Sequence, residues 1–164
     1  MRLRLVALLL GALAWLPSSS SAQQRRDTIE LQAGALRYAA RRIGQGRVIA
    51  IDTSSVIGYT QGLPAHVFDE AIESALGPTR RGTSSELIVC ARPDDYKSCA
   101  LKNADVVVTL AAPRIRSDTA YVYLRLQERL DNSSWPISHV NEVLRFLRRH
   151  GAWVFSSATI HSVS

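Results

Sequence analysis

VNEVLRFLRRHGAWVFSSATIHSV, residues 140–163, is the stretch whose reading decides the fold. Apolar residues flank His150-Gly151, and a glycine at that point supplies the positive φ that a two-residue hairpin turn needs. With Arg149 facing Ala152, pairing proceeds outward one residue at a time on each side. One face then collects Val143, Leu147, Val154, Ala158 and Ile160. The other collects Val140, Leu144, Phe146, Trp153 and Phe155. Both faces are apolar, so neither can lie wholly in water. The hairpin therefore belongs to a sheet covered on one side by helices. Its other side needs sheet curvature, a second subunit or a ligand.

Upstream, Glu86–Ala91, Ala104–Ala112 and Thr119–Arg129 are β-branched or aromatic-rich segments separated by turn residues, the pattern of further strands. The first part of the chain reads differently. Ile29, Ala33, Leu36, Ala40 and Ile43 recur at steps of four and three, which draws one stripe on a helix. Asp27 or Thr28 can cap its start and Gly44 or Gly46 can end it. A short β-branched run from Arg47 to Asp52 follows as a strand, then a turn-rich link from Thr53 to Leu63. Pro64 suits the first turn of a second helix carrying Val67, Phe68, Ala71, Ile72, Ala75 and Leu76, closed by Gly77-Pro78. Thr79–Ser85 reads as a basic loop. These elements make an α+β domain of two N-terminal helices with a short intervening strand, packed on an antiparallel sheet of four to five strands.

The N-terminus has the three-part layout of a secretory signal peptide: Arg2 and Arg4, an apolar run from Leu5 to Leu16, then Pro17, serines and Ala22. That run is shorter than the roughly 17 to 25 residues a membrane-spanning helix requires. Residues 1–22 are therefore expected to be removed, leaving 23–164 as one domain that does not span a membrane. The expected location is secreted or periplasmic. Cys90 and Cys99 are the only cysteines in the chain, and an oxidising compartment makes a structural disulfide their expected state. The Pro93-Asp94-Asp95 turn between them suits a short closed loop. A redox or metal role would need C-x-x-C or further ligands nearby, which are absent.

The net charge is +6. Removal of Arg2 and Arg4 leaves 18 Lys and Arg against 14 Asp and Glu, a net of +4. The basic pairs are scattered, so nucleic acid is not an expected partner. No cofactor or metal motif is present.

Candidate site residues come from the hairpin. In the unbroken register Glu142 faces Thr159 and Val140 faces His161, so Glu142 and His161 become diagonal neighbours and a candidate acid/base pair. A one-residue slip would move these side chains to the other face. Phe146, Trp153 and Phe155 form the candidate ligand-binding floor beside them. Asp52 ends a strand before Thr53-Ser54-Ser55, where either binding residues or ordinary turn chemistry occur. In Thr119–Arg129 the apolar residues Ala120, Val122, Leu124 and Leu126 alternate with Tyr121, Tyr123, Arg125, Gln127 and Arg129. The second set is either a half-exposed sheet face or a surface that receives an anionic or aromatic partner.

Helices followed by long antiparallel strands that end in the Gly151-Ala152-Trp153-Val154 hairpin resemble the NTF2-like cone domains over Asp105–Ser164. That resemblance implies a curved sheet wrapping a helix around a pocket. It carries over no catalytic residue, and the strand between the first two helices and the cysteine pair depart from it.

The sequence thus points to an exported, non-catalytic domain that binds a small molecule or an envelope protein, with a homodimer through the sheet as the form of self-association. The alternative is a small pocket enzyme of isomerase or hydrolase type using Glu142 and His161.

Overall fold

The computed structural model describes residues 19–53, 67–92, 94–130 and 137–163. Most of the apolar leader, the link after Thr53 and Pro64 lie outside these residues, while Ser19–Ala22 open the first helix.

Helix α1 (Ser19–Ile43) is followed by β1 (Ile49–Asp52), α2 (Asp69–Leu76), β2 (Arg80–Gly82), the one-turn α3 (Ser84–Leu87), β3 (Ile88–Cys90) and, after a short 3-10 turn, β4 (Cys99–Leu101). Then come β5 (Val106–Leu110), β6 (Arg114–Arg116), β7 (Thr119–Arg129), β8 (Ile137–Arg149) and β9 (Ala152–Val163). The main sheet has seven strands in the order β2-β1-β5-β7-β8-β9, with β6 also paired to β7. β1 runs parallel to both β2 and β5, and the remaining pairs are antiparallel.

The architecture is α+β, with one long helix and a mixed sheet in place of an antiparallel sheet of four to five strands. The reason lies in β1. Ala50 and Ile51 are buried and the strand lies between parallel neighbours on both edges, which suits an apolar run with no polar alternation. Arg80-Arg81-Gly82 has no strand pattern of its own and becomes β2 by pairing with β1. Ser84–Leu87, expected as loop and strand, is a helical turn because Thr83 and Glu86 form a capping box.

The sheet's two faces are covered by different elements. On the first, α1 packs Leu31, Ala35, Leu36 and Ala39 against Val108, Leu110, Val122, Leu124, Leu144 and Phe146, all buried. This is the main core. On the second face a smaller cluster of Leu87, Cys99, Leu101 and Ala104 sits over Ala50, Val107 and Ile137. Cys90 and Cys99 are disulfide-bonded and directly paired across the β3–β4 hairpin. That clip holds the small lobe over β1, β5 and the start of β8. On the chain-entropy view a loop this short contributes about 2.5 to 3 kcal/mol. No described helix is long and apolar enough to cross a membrane.

Candidate functional site

The hairpin turn forms as expected, with His150 at φ 51° and Gly151 at φ 82° and Arg149 opposite Ala152. Phe146, Trp153 and Phe155 share a face, and that face is the one α1 closes. Phe146 is 1% exposed and Trp153 8%. The helix comes this close because position 34 is glycine: a Cβ there would stand 2.8 Å from Phe146 Cε1. Tyr38 stacks on Phe155 at 5.0 Å, and Phe155 meets Phe146 edge-on at 5.8 Å. The main-chain N–H of Trp153 donates to Glu30 at 2.9 Å. The Arg148 guanidinium, paired with Asp27 at 2.5 Å, lies over the Trp153 ring at 4.4 Å. The expected ligand floor is therefore the packing layer between α1 and β8–β9, with only Phe155 at its lip.

The candidate acid/base pair is not brought together. β9 carries two bulges against β8, one at Arg145/Phe146 and one at Asn141/Glu142. Each inserts one residue, so Glu142 faces Ile160 instead of Thr159, and Val140 faces Val163 instead of His161. Glu142 is fully buried under α1. There Tyr38 Oη donates to its Oε2 at 2.7 Å and Arg42 Nε meets its Oε1 at 2.8 Å. Burial, and then the hydrogen bond to Glu142, hold the Tyr38 phenol above its ordinary value. His161 lies on the opposite side of the sheet, its ring edge-on to Tyr123 at 6.4 Å. The unbroken register failed because bulges leave no signature in an apolar-polar pattern.

The second face is where the polar side chains converge. At one end the disulfide-clipped lobe covers it, and Ser84 Oγ donates to the buried Asp52 carboxylate at 2.5 Å, tying α3 to the end of β1. Beyond the lobe, Arg125 Nε donates to Asn141 Oδ1 at 2.8 Å and Asn141 Nδ2 donates to Ser162 Oγ at 2.8 Å. That line joins three adjacent strands through directly paired residues. Beside it, burial and then the nearby Arg125 hold His139 below its ordinary value.

Further along, β6 crosses the sheet beside β7, with Arg114 opposite Tyr121 and Arg116 opposite Thr119. A hollow of about 380 Å³ opens there, lined by Ala112, Arg114, Arg116, Tyr121, Tyr123, Val143 and His161. Strand alternation sets Arg114, Arg116, Arg125, Arg129 and Arg145 on this face. The two acids within β6–β9, Glu128 and Glu142, fall on the other face. The Tyr-Arg set of β7 was legible in the sequence. Arg114 and Arg116 were missed because a three-residue strand has too few positions to show alternation.

Such a surface can hold an anion through guanidinium forks and offer a ring a stacking partner. Among the described residues no three His, Cys, Asp or Glu side chains cluster as metal ligands. Comparison with protein-family models, curated proteins and solved structures finds no significant match.

Proposed function

We propose that the chain is an exported, non-catalytic binding domain that engages a small molecule or an envelope protein through the second face of its sheet. The observation that carries this reading is the asymmetry of the sheet. The helix face is filled by the chain's own core, whereas the second face beyond the disulfide-clipped lobe presents arginines, tyrosines and His161 around an open hollow. The disulfide is consistent with an oxidising compartment. The resemblance of residues 105–164 to NTF2-like cone domains, read from strand order and the Gly151-Ala152-Trp153-Val154 hairpin, supports a pocket-forming domain.

Site-specific photocrosslinking in exporting cells tests the reading. A photoreactive side chain in place of Tyr121, on the second face, gives an adduct, and one in place of Arg37, on the exposed side of α1, gives none. Equal adducts at both positions, or none at Tyr121, contradict the reading.

A second copy is the partner favoured by β9. This edge strand of 12 residues contains no Lys, Arg, Asp, Glu, Pro or Gly and exposes Val154, Phe155, Ile160 and Val163. Such an edge invites another strand, whereas the opposite edge, β2, carries Arg80 and Arg81. Light scattering that finds a monomer at all concentrations removes the homodimer.

A further inference from the structure

We infer that the hollow between β6 and β9 is a site for a ring-bearing organic anion, with a phosphate or carboxylate group held by Arg114 and Arg116 and its ring set against Tyr121 and Tyr123. This inference rests on the reading of the second face as the binding surface and names the ligand class.

Arg114 and Arg116 are two residues apart on one strand, so their stems rise on the same side about 7 Å apart. Two guanidiniums at that spacing can converge on one anionic group from either side, each offering a planar pair of donors. Among the described residues neither has a carboxylate partner, so an incoming anion displaces no internal ion pair.

The tyrosines supply the second half of the recognition. Tyr121 is 38% exposed and pairs directly with Arg114, while Tyr123 lies deeper, held edge-on by His161. Val143 and Ala112 complete an apolar floor. A ring settling there gains contact area that bare phosphate cannot use. A volume of about 380 Å³ is at the lower end of small-molecule pockets, which run from roughly 300 to 1,000 Å³. An occupant of one ring and one acidic group fits it. The surrounding Arg125, Arg129 and Arg145, with no acid of β6–β9 on the same face, raise the local concentration of anions in general. Arg114 and Arg116 are the arginines that line the hollow itself, with Arg145 beside them as the partner of Tyr121 on β8.

Calorimetric titration of the folded protein with phenyl phosphate, benzoate, inorganic phosphate and phenol tests this. Vesicles containing phosphatidylglycerol form a separate arm. Phenyl phosphate is expected to bind at least tenfold more tightly than inorganic phosphate, and benzoate more tightly than phenol. Arg114→Ala and Arg116→Ala each weaken phenyl phosphate about tenfold, the scale of one charge-assisted contact. Tyr121→Ala narrows the gap between phenyl phosphate and inorganic phosphate. Arg129→Ala, on the same face but outside the hollow, leaves binding unchanged, and thermal melting confirms that each variant folds.

Equal binding of phenyl and inorganic phosphate, equal losses at Arg129 and Arg114, or binding to vesicles alone each overturn the assignment. If no soluble probe binds while the Tyr121 photocrosslink still forms, the ligand class is wrong and the broader reading stands. If neither is seen, both fall.

Discussion

Tyr38 donates a hydrogen bond of 2.7 Å to Glu142, so the one fully buried carboxylate in the described residues is held from the helix. Arg42, one turn further along α1, supplies the countercharge at 2.8 Å. A buried charge that loses its partner costs far more than the pair contributes. Arg42→Met should therefore destabilise the protein by about 2 to 3 kcal/mol, tempered by the partial exposure of Arg42. Adding Glu142→Leu should recover most of that loss in urea unfolding. If Arg42→Met is neutral, the Arg42 ion pair does not stabilise the protein at Glu142.

Gly34 sets how closely α1 approaches the sheet. Gly34→Ala gains up to about 1 kcal/mol of helix propensity but drives a methyl into the Phe146 ring at 2.8 Å. Overpacking of this kind costs about 1 to 3 kcal/mol, so the net expectation in urea unfolding is a loss. Phe146→Leu in the same chain should turn the Gly34→Ala change from destabilising to neutral. An additive double variant would contradict the contact.

His139 gives a pH signature. Its folded value lies below the ordinary 6.5 because burial, and then the nearby Arg125, disfavour the charged ring. As pH falls through 6.5 the unfolded chain takes up a proton that the folded chain refuses, and stability falls. Above 6.5 the ring is neutral in both states and contributes no slope. Denaturant midpoints measured from pH 7 down to 5 should decline, and His139→Gln should flatten that decline relative to the parent.

Loss of the Cys90–Cys99 bond should lower stability by about 2.5 to 3 kcal/mol on the chain-entropy model and act locally. Hydrogen exchange in the Cys90→Ser/Cys99→Ser variant should rise across 88–101, where the lobe is clipped, and stay slow in β7 and β8. Uniform acceleration would show that the small lobe supports the whole sheet.

Much of this was legible in the sequence, for reasons that particular residues make plain. The hairpin turn followed from His150-Gly151, the strand Thr119–Arg129 from alternation, and the disulfide from two cysteines together with the expectation of export. What was not legible depends on pairing between distant segments. Nothing local marks Arg80-Arg81-Gly82 or Arg114-Ile115-Arg116 as strands, since their neighbours in the sheet create them. The two bulges in β9 decided which candidate residues meet, and they moved His161 away from Glu142 onto the face where the hollow lies. The aromatic face was read correctly as a set. Its role changed because Gly34 lets the helix close over it.

The central claim is that the second face is the working surface and the helix face is not. Hydroxyl-radical footprinting, compared between the purified protein and the protein in the cells that make it, in whichever compartment it is found, tests it most directly. Tyr121 at 38% exposure and Phe155 at 40% start with similar accessibility on opposite sides of the sheet. The account predicts that Tyr121 becomes protected in the compartment while Phe155 keeps its reactivity. Protection of Phe155 with Tyr121 unchanged would contradict it.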